Sequence, residues 1–418
     1  MSGEESGFNQ SDQNDWLEID HQTEIISVIS PDADVVEPGV IPPKTEKDDK
    51  NKNKNLNLSP GSATKRKKIL RALKDGVDVS ELQSFAINRG GLLTNELRKQ
   101  VWPKQLGVKL NEITPKPDED VLHGHRDYDQ VVMDVNRSLK RFPPGMEDDE
   151  RFALQDILVD VIMRVLVNNS ELHYYQGFHD ICVTFLLVVD EDVAFAIVEK
   201  LSQKHLRDFM DADMDRTKHM LNYLYPIIDK ASPQLCEYME RAETGTIFCL
   251  SWLITWYGHV LNDIKHIVRL YDFFIACHQL MPIYLAAAIV LYRQDEILET
   301  ECEMCFIHCL LSRIPDNLPF EQLISKAGDL YLQFPPADLA SEAEFRSQEN
   351  DNKAKRQRAN GVSKLHRWSW RNNIRWVSTH MPHYGRRHYL LTTAVAAVVT
   401  AALCYSTTDW GWIEWNWF

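Results

Sequence analysis

From Lys65 to about Pro336 the apolar residues of this chain recur at intervals of three and four, in one run after another. That spacing commits most of the sequence to amphipathic helices. Leu70, Leu73 and Val77 open the pattern, and a short helix ending in Arg98 to Trp102 is expected to close at Pro103. Val131, Val135, Leu139 and Phe142 form the next stripe, which Pro143-Pro144-Gly145 stops. Ile157, Leu158, Val161, Ile162, Val165 and Leu166 form another, ended by Asn168-Asn169. Ile181 to Val189 is apolar nearly all round and reads as a central buried helix. Further helices are predicted near 193–206, 216–228, 233–241, 247–261, 264–278, 282–293, 303–313 and 320–333. Two-residue alternation is absent and Gly-rich hairpin turns are scarce. The expectation is an all-α, irregular multi-helix domain over 65–336, not a repeat.

The 418 residues allow two average domains, or one large helical domain with extensions. Residues 1–64 are acidic and Asn/Pro-punctuated, and they are expected to be disordered, because they bury too little apolar surface to offset the entropy of ordering. Within them Asp15-Trp16-Leu17-Glu18-Ile19-Asp20 sets three apolar side chains among acids. It reads first as a sticky spot in the tail. The sharper alternative is a linear motif at Trp16–Ile19 that docks on a partner, similar to motifs that bind autophagy ubiquitin-like proteins. The net charge of −15 argues against general nucleic-acid binding, yet residues 353–388 hold ten Lys or Arg and no acid. Residues 337–388 therefore read as a basic, Trp-containing juxtamembrane linker facing anionic lipid. Residues 389–408 carry no charge, with Arg386-Arg387 on one side and Trp410, Trp412, Trp415 and Trp417 on the other. They are expected to be a single transmembrane tail anchor, followed by a short lumenal tail at 409–418. The span is short and modestly apolar, which suits a thin membrane such as the endoplasmic reticulum. No signal peptide is expected, and the eight cysteines lack disulfide-scaffold spacing.

Two stretches carry chemistry. Val131 to Arg137 reads as a helix whose buried stripe leaves Arg137 on the polar side, with Asp134 three residues earlier and close enough to hold the guanidinium. Alone, such a pair is an ordinary surface ion pair. Tyr174-Tyr175-Gln176-Gly177 reads as a turn that lifts an uncharged amide out of the helices, because Gly177 permits backbone conformations other residues resist. The bland alternative is a Gln that caps a neighbouring helix. An arginine and a glutamine held out from a rigid scaffold are the two groups that a slow GTPase lacks: one neutralises charge on the transferring phosphoryl group, the other orients water.

These residues resemble the TBC-domain family of Rab GTPase-activating proteins, whose motifs are I-x-x-D-x-x-R and Y-Q-G. Val131 replaces the isoleucine, and Arg98-x-x-x-Trp102 precedes both motifs in matching order. The resemblance spans residues 66–335. It implies that Arg137 and Gln176 act in trans on a GTP-bound Rab, with Asp134, Tyr175 and Gly177 supporting them, and that Arg98 and Trp102 are structural. It implies no cofactor and no metal, since GTP and Mg2+ belong to the Rab. His173-Tyr174-Tyr175-Gln176-Gly177, Arg141-Phe142-Pro143-Pro144-Gly145 and the apolar tail are similar to a family member anchored in the endoplasmic reticulum. That likeness implies Rabs of the early secretory pathway as partners and a location at the endoplasmic reticulum, with the Golgi as the alternative. The rival readings are a non-catalytic membrane-anchored Rab-binding effector or tether, and a membrane-anchored lipid hydrolase, which lacks an exposed nucleophile motif.

Competing sites are weaker. Cys302, Cys305, His308 and Cys309 invite a zinc reading, but seven residues on a predicted helix separate the outer cysteines by about 10 Å. Buried thiols suit them better. His179-Asp180 with Cys182 suggests a nucleophile, but a thiol in so apolar a helix is inert. No Gly-rich phosphate loop is present, so the chain is not the nucleotide-binding partner.

Overall fold

Ser59 starts the first helix by accepting a hydrogen bond from the Ser62 amide at 3.3 Å, and Pro60 follows at the position where a missing N–H costs nothing. The computed structural model describes residues 59–359, apart from 139, 140, 143 and 144. The expected tail anchor, the Trp16–Ile19 motif and residues 360–388 of the basic Trp-containing linker lie outside these residues. Among the described residues there is no strand, and no helix is long and apolar enough to cross a membrane.

The helices run α1 Pro60–Asp75, α2 Val79–Ile87, α3 Asn95–Gln105, α4 Glu119–His123, α5 Tyr128–Arg137, α6 Asp148–Asn168, α7 Phe178–Leu186, α8 Glu191–Gln203 and α9 Asp215–Leu221. They continue with α10 Leu224–Ala231, α11 Pro233–Arg241, α12 Leu250–Ile254, α13 Ile264–Ala276, α14 Met281–Tyr292, α15 Gln294–Glu299, α16 Met304–Leu311, α17 Phe320–Gln333 and α18 Pro336–Ala359. Helix α14 is buried continuously from Met281 to Val290, as a helix apolar on every side must be. It packs between α17 and α10. Helix α7 is buried from Phe178 to Phe185 and holds α6, α8 and α13 around it. The chain divides into two compact units, Met1–Glu349 and Asn350–Phe418. Within the first, α18 docks through buried Leu339 and Ala343 and through Arg346, which lies 3.0 Å from Glu342 and also pairs with Glu240.

A buried ionic hub ties the N-terminal helices to the rest. The fully buried carboxylate of Asp272 on α13 accepts from Arg98 Nη2 at 2.8 Å, Trp102 Nε1 at 2.9 Å and the Leu92 amide at 2.9 Å. Gly91 must be glycine there: its φ is +54°, and a Cβ would lie 2.4 Å from Asp272 Oδ2. Arg269, one turn away, donates to the Ala86 and Ile87 carbonyls and pairs with Glu321 on α17 at 2.8 Å. Buried charges of this kind persist only when every donor and acceptor is matched.

Several expected boundaries shift. Pro103 lies inside α3 and does not end it; the lost backbone donor is offset by burial of Val101, Trp102 and Pro103. Helix α5 ends at Arg137, so Phe142 is buried beyond the helix and not on its stripe. The predicted 216–228 helix is two, α9 and α10, and 247–261 breaks after α12. Cys302 precedes α16 and is not part of it. Where a linker was expected after Pro336, α18 runs on to Ala359.

Candidate functional site

Helix α5 packs on α6 and α7 through Val131 and Val135, and Gln155 on α6 donates to the Val135 carbonyl at 2.9 Å. This seating leaves the side chain of Arg137 64% exposed while that of Asp134, three residues earlier, is only 1% exposed. The Arg137 guanidinium is paired with Asp134 Oδ1, and its Nε donates to the Met133 carbonyl at 3.3 Å. The carboxylate is gripped from other sides as well. Gln130 Nε2 donates to Oδ1 at 3.1 Å and the Tyr174 hydroxyl donates to Oδ2 at 3.0 Å. A buried anion thus holds an exposed cation in place, unlike an ordinary surface pair, which holds nothing.

Tyr174 belongs to the loop that presents Gln176, so Asp134 joins the two candidate groups. The loop is pinned residue by residue. The His173 amide donates to the Met210 carbonyl at 2.9 Å and the Tyr174 amide to Asp127 Oδ2 at 3.4 Å. The Tyr175 hydroxyl donates to the Ile254 carbonyl at 2.9 Å. Gln176 then stands exposed at the tip, and Gly177 turns the chain into α7 with φ +113°. A Cβ at Gly177 would meet Thr255 Cγ2 at 2.8 Å, so both the conformation and the close approach require glycine.

Burial, and then the charge of Asp134, push the Tyr174 hydroxyl far above its ordinary range, so it remains a donor. With its proton committed to Asp134, it accepts from the Nδ1–H of His179, 3.0 Å away. Burial lowers the His179 pKa, against the opposing pull of Asp180 and Asp134. Asp180 closes the network: His259 Nδ1 lies 3.1 Å from Oδ2 and Arg141 Nε 3.4 Å from Oδ1. Burial alone would raise the Asp180 pKa, but the His259 hydrogen bond and the neighbouring His179 and Arg141 hold it below the usual carboxylate value.

The turn after α12 supplies the floor under Gly177. Trp256 and Tyr257 adopt φ of +45° and +65°, which bulky residues avoid. They are held there by the Tyr257 amide to the Trp252 carbonyl at 2.7 Å, the Tyr257 hydroxyl to the Pro282 carbonyl at 2.9 Å, and Trp256 packed edge-on against Tyr271. The turn brings Thr255 against Gly177 and lets its Oγ1 accept from the His259 amide at 3.2 Å.

The sequence-predicted residues thus fall into two places. Arg137, Asp134, Tyr175, Gln176 and Gly177 lie on adjoining elements, whereas Arg98 and Trp102 are buried on Asp272. Sequence reading missed Tyr174, the residue that joins loop to helix, and the chain His179–Asp180–Arg141–His259. A carboxylate four residues after Gln176 inside an apolar helix was the available signal, since such a group needs buried partners. Cys182 is fully buried, which drives its thiol pKa well up. Among the described residues no group of His, Cys, Asp and Glu could hold a metal ion.

The model of the Rab-GTPase-TBC domain matches residues 95–298. The chain is 59% identical over 286 residues to TBC1 domain family member 20 of Mus musculus, covering 68% of this chain and 71% of that protein. It is 31% identical over 272 residues to the GTPase-activating protein gyp10 of Schizosaccharomyces pombe, covering 62% and 72%. Its fold is shared with the crystal structure of the Ypt/Rab-GAP domain of Gyp1p, at a TM-score of 0.53, 15% identity, and 64% of this chain against 99% of that one. The chain belongs to the Rab-GTPase-TBC domain family. Its all-helical domain is a Rab GTPase-activating TBC domain whose partners are Rab GTPases. It needs no cofactor of its own, because nucleotide and metal are bound by the Rab.

Proposed function

We propose that Arg137 and Gln176 are the two catalytic side chains, supplied in trans to a GTP-bound Rab of the early secretory route. Phosphoryl transfer asks little of a protein beyond positioned charge and positioned water. The Arg137 guanidinium is permanently ionised and planar, suited to the charge that develops on the γ-phosphoryl oxygens. The Gln176 amide offers both a donor and an acceptor, which a water aligned for attack requires. The observation that carries this reading is Asp134: one buried carboxylate holds the exposed Arg137 and, through Tyr174, the loop that bears Gln176. A protein that only bound its partner would have no need to fix both groups on one anchor. Docking on the Rab then requires the guanidinium to leave Asp134 or share it, and the Gln130 and Tyr174 hydrogen bonds keep that carboxylate satisfied.

The site of action in this reading is the endoplasmic-reticulum membrane, with residues 389–408 as tail anchor and the domain on the cytosolic side. The uncharged run between Arg386-Arg387 and the terminal tryptophans supports it. An anchor raises the effective concentration of enzyme against a lipidated Rab on the same surface. The test is single-turnover GTP hydrolysis across a panel of purified Rabs, with the wild-type chain and with Arg137→Ala. The expected result is acceleration of an early secretory Rab and its loss by about 10³–10⁵ in the variant. A variant that keeps most of the acceleration would refute the assignment, and Arg137→Lys is expected to fail as well, because an ammonium lacks the planar fork.

A further inference from the structure

Helix α1 carries a face that neither the core nor the site uses. Ile69 and Ala72 are buried, and Lys65 turns inward to donate to the Asn88 and Arg89 carbonyls at 3.0 and 2.9 Å. At 3.6 residues per turn, Arg66, Leu70, Lys74, Lys67, Arg71 and Lys68 fill a continuous arc of about 200° on the opposite side. All six are exposed, Leu70 at 37%. The helix's one acid, Asp75, pairs with Arg71 at 3.3 Å.

This face concentrates like charge. The first turn of the helix holds no acid, and Arg66, Lys67 and Lys68 follow one another directly. Lys67 and Arg71, four apart, repel where a glutamate would have attracted. The chain as a whole carries −15, so these cations also oppose the trend of the molecule. A solvated helix gains nothing from such an arrangement, whereas an external polyanion relieves all of it at once. The arc is convex, with cations on both sides of an exposed leucine, which fits an extended anionic surface better than a single phosphate in a pocket. We propose that the exposed face of α1 docks on an anionic phospholipid membrane, its cations on the headgroups and Leu70 at the acyl boundary. This contact is separate from any tail anchor, and it sets which side of the domain faces the lipid.

The experiment labels lysine amines of the full chain mixed with vesicles of phosphatidylcholine alone or with phosphatidylserine, and reads each site by mass spectrometry. Lys230 and Lys265, exposed elsewhere, serve as internal references. Labelling per lysine, unlike flotation, does not depend on residues 389–408. Lys67, Lys68 and Lys74 are expected to lose labelling several-fold with phosphatidylserine only, and to regain it in high salt. Each cation near such a leaflet contributes a factor of about five in affinity, so Lys67→Glu with Arg71→Glu should weaken binding through this face by at least about 25-fold and abolish the protection of Lys68 and Lys74. Equal labelling in both vesicles would overturn the proposal. So would salt-sensitive protection without vesicles, which would assign the face to the chain's own acidic residues 1–58.

Discussion

Asp134 is the residue on which the account turns, and its hydrogen bonds define what Tyr174 does. The Tyr174 hydroxyl donates to Asp134 Oδ2 and sits 3.0 Å from His179 Nδ1, linking the arginine helix to the glutamine loop. Tyr174→Phe removes that oxygen and leaves a buried carboxylate oxygen and a buried imidazole short of partners. It should cost about 1–3 kcal/mol of stability and lower kcat while leaving Rab affinity nearly unchanged; urea unfolding with Rab titration checks it. A variant with wild-type turnover would reduce Tyr174 to packing. Arg137 and Asp134 were legible in the sequence because helical spacing fixes which residues share a side. Which of two adjacent tyrosines faces Asp134 was not legible, because Asp127 and Met210, distant in sequence, set the loop's path.

At the scale of elements, the turn from Gln176 into α7 depends on a position that only glycine fills well. Gly177→Ala must tolerate φ +113° and a 2.8 Å approach to Thr255. The expected cost is about 1–3 kcal/mol, together with a loss of activity larger than that destabilisation explains, because Gln176 moves with the loop. Thermal unfolding beside single-turnover hydrolysis would show it; full activity in Gly177→Ala would contradict the role given to this turn. The opposing wall was the harder part to read. Residues 247–261 have an unbroken apolar pattern that predicts one helix, yet Trp256 and Tyr257 take left-handed conformations. Burying those rings against Tyr271 and Phe274 outweighs local helix preference, and no periodicity records that competition. Where packing agrees with the local pattern, as in α14, sequence and structure coincide.

For the molecule as a whole, apolar periodicity was enough to give an all-helical domain, but not which helices meet. The Asp272 hub joins residues some 170 positions apart, and nothing local in the sequence announces it. The same tight interior sets the pH response. Burial lowers the pKa of His205 and of His278 from 6.5 to about 4. On acidification the unfolded chain therefore takes up these protons first. Their contribution is complete above about pH 7 and is lost as pH falls from 6.5 toward 4, up to about 3 kcal/mol for each ring. Denaturant midpoints measured across that range should fall accordingly. His205→Gln should flatten the slope; an unchanged slope would place the acid sensitivity elsewhere.

Catalysis in trans by both side chains is tested with a Rab whose own switch glutamine has been replaced by leucine, assayed in a single turnover. If Arg137 and Gln176 are both supplied in trans, the wild-type chain still accelerates hydrolysis by this Rab, and Gln176→Ala or Arg137→Ala abolishes the effect. If the Rab lacking its glutamine does not respond to the wild-type chain, then the Rab's own residue orients the water and Gln176 is not catalytic.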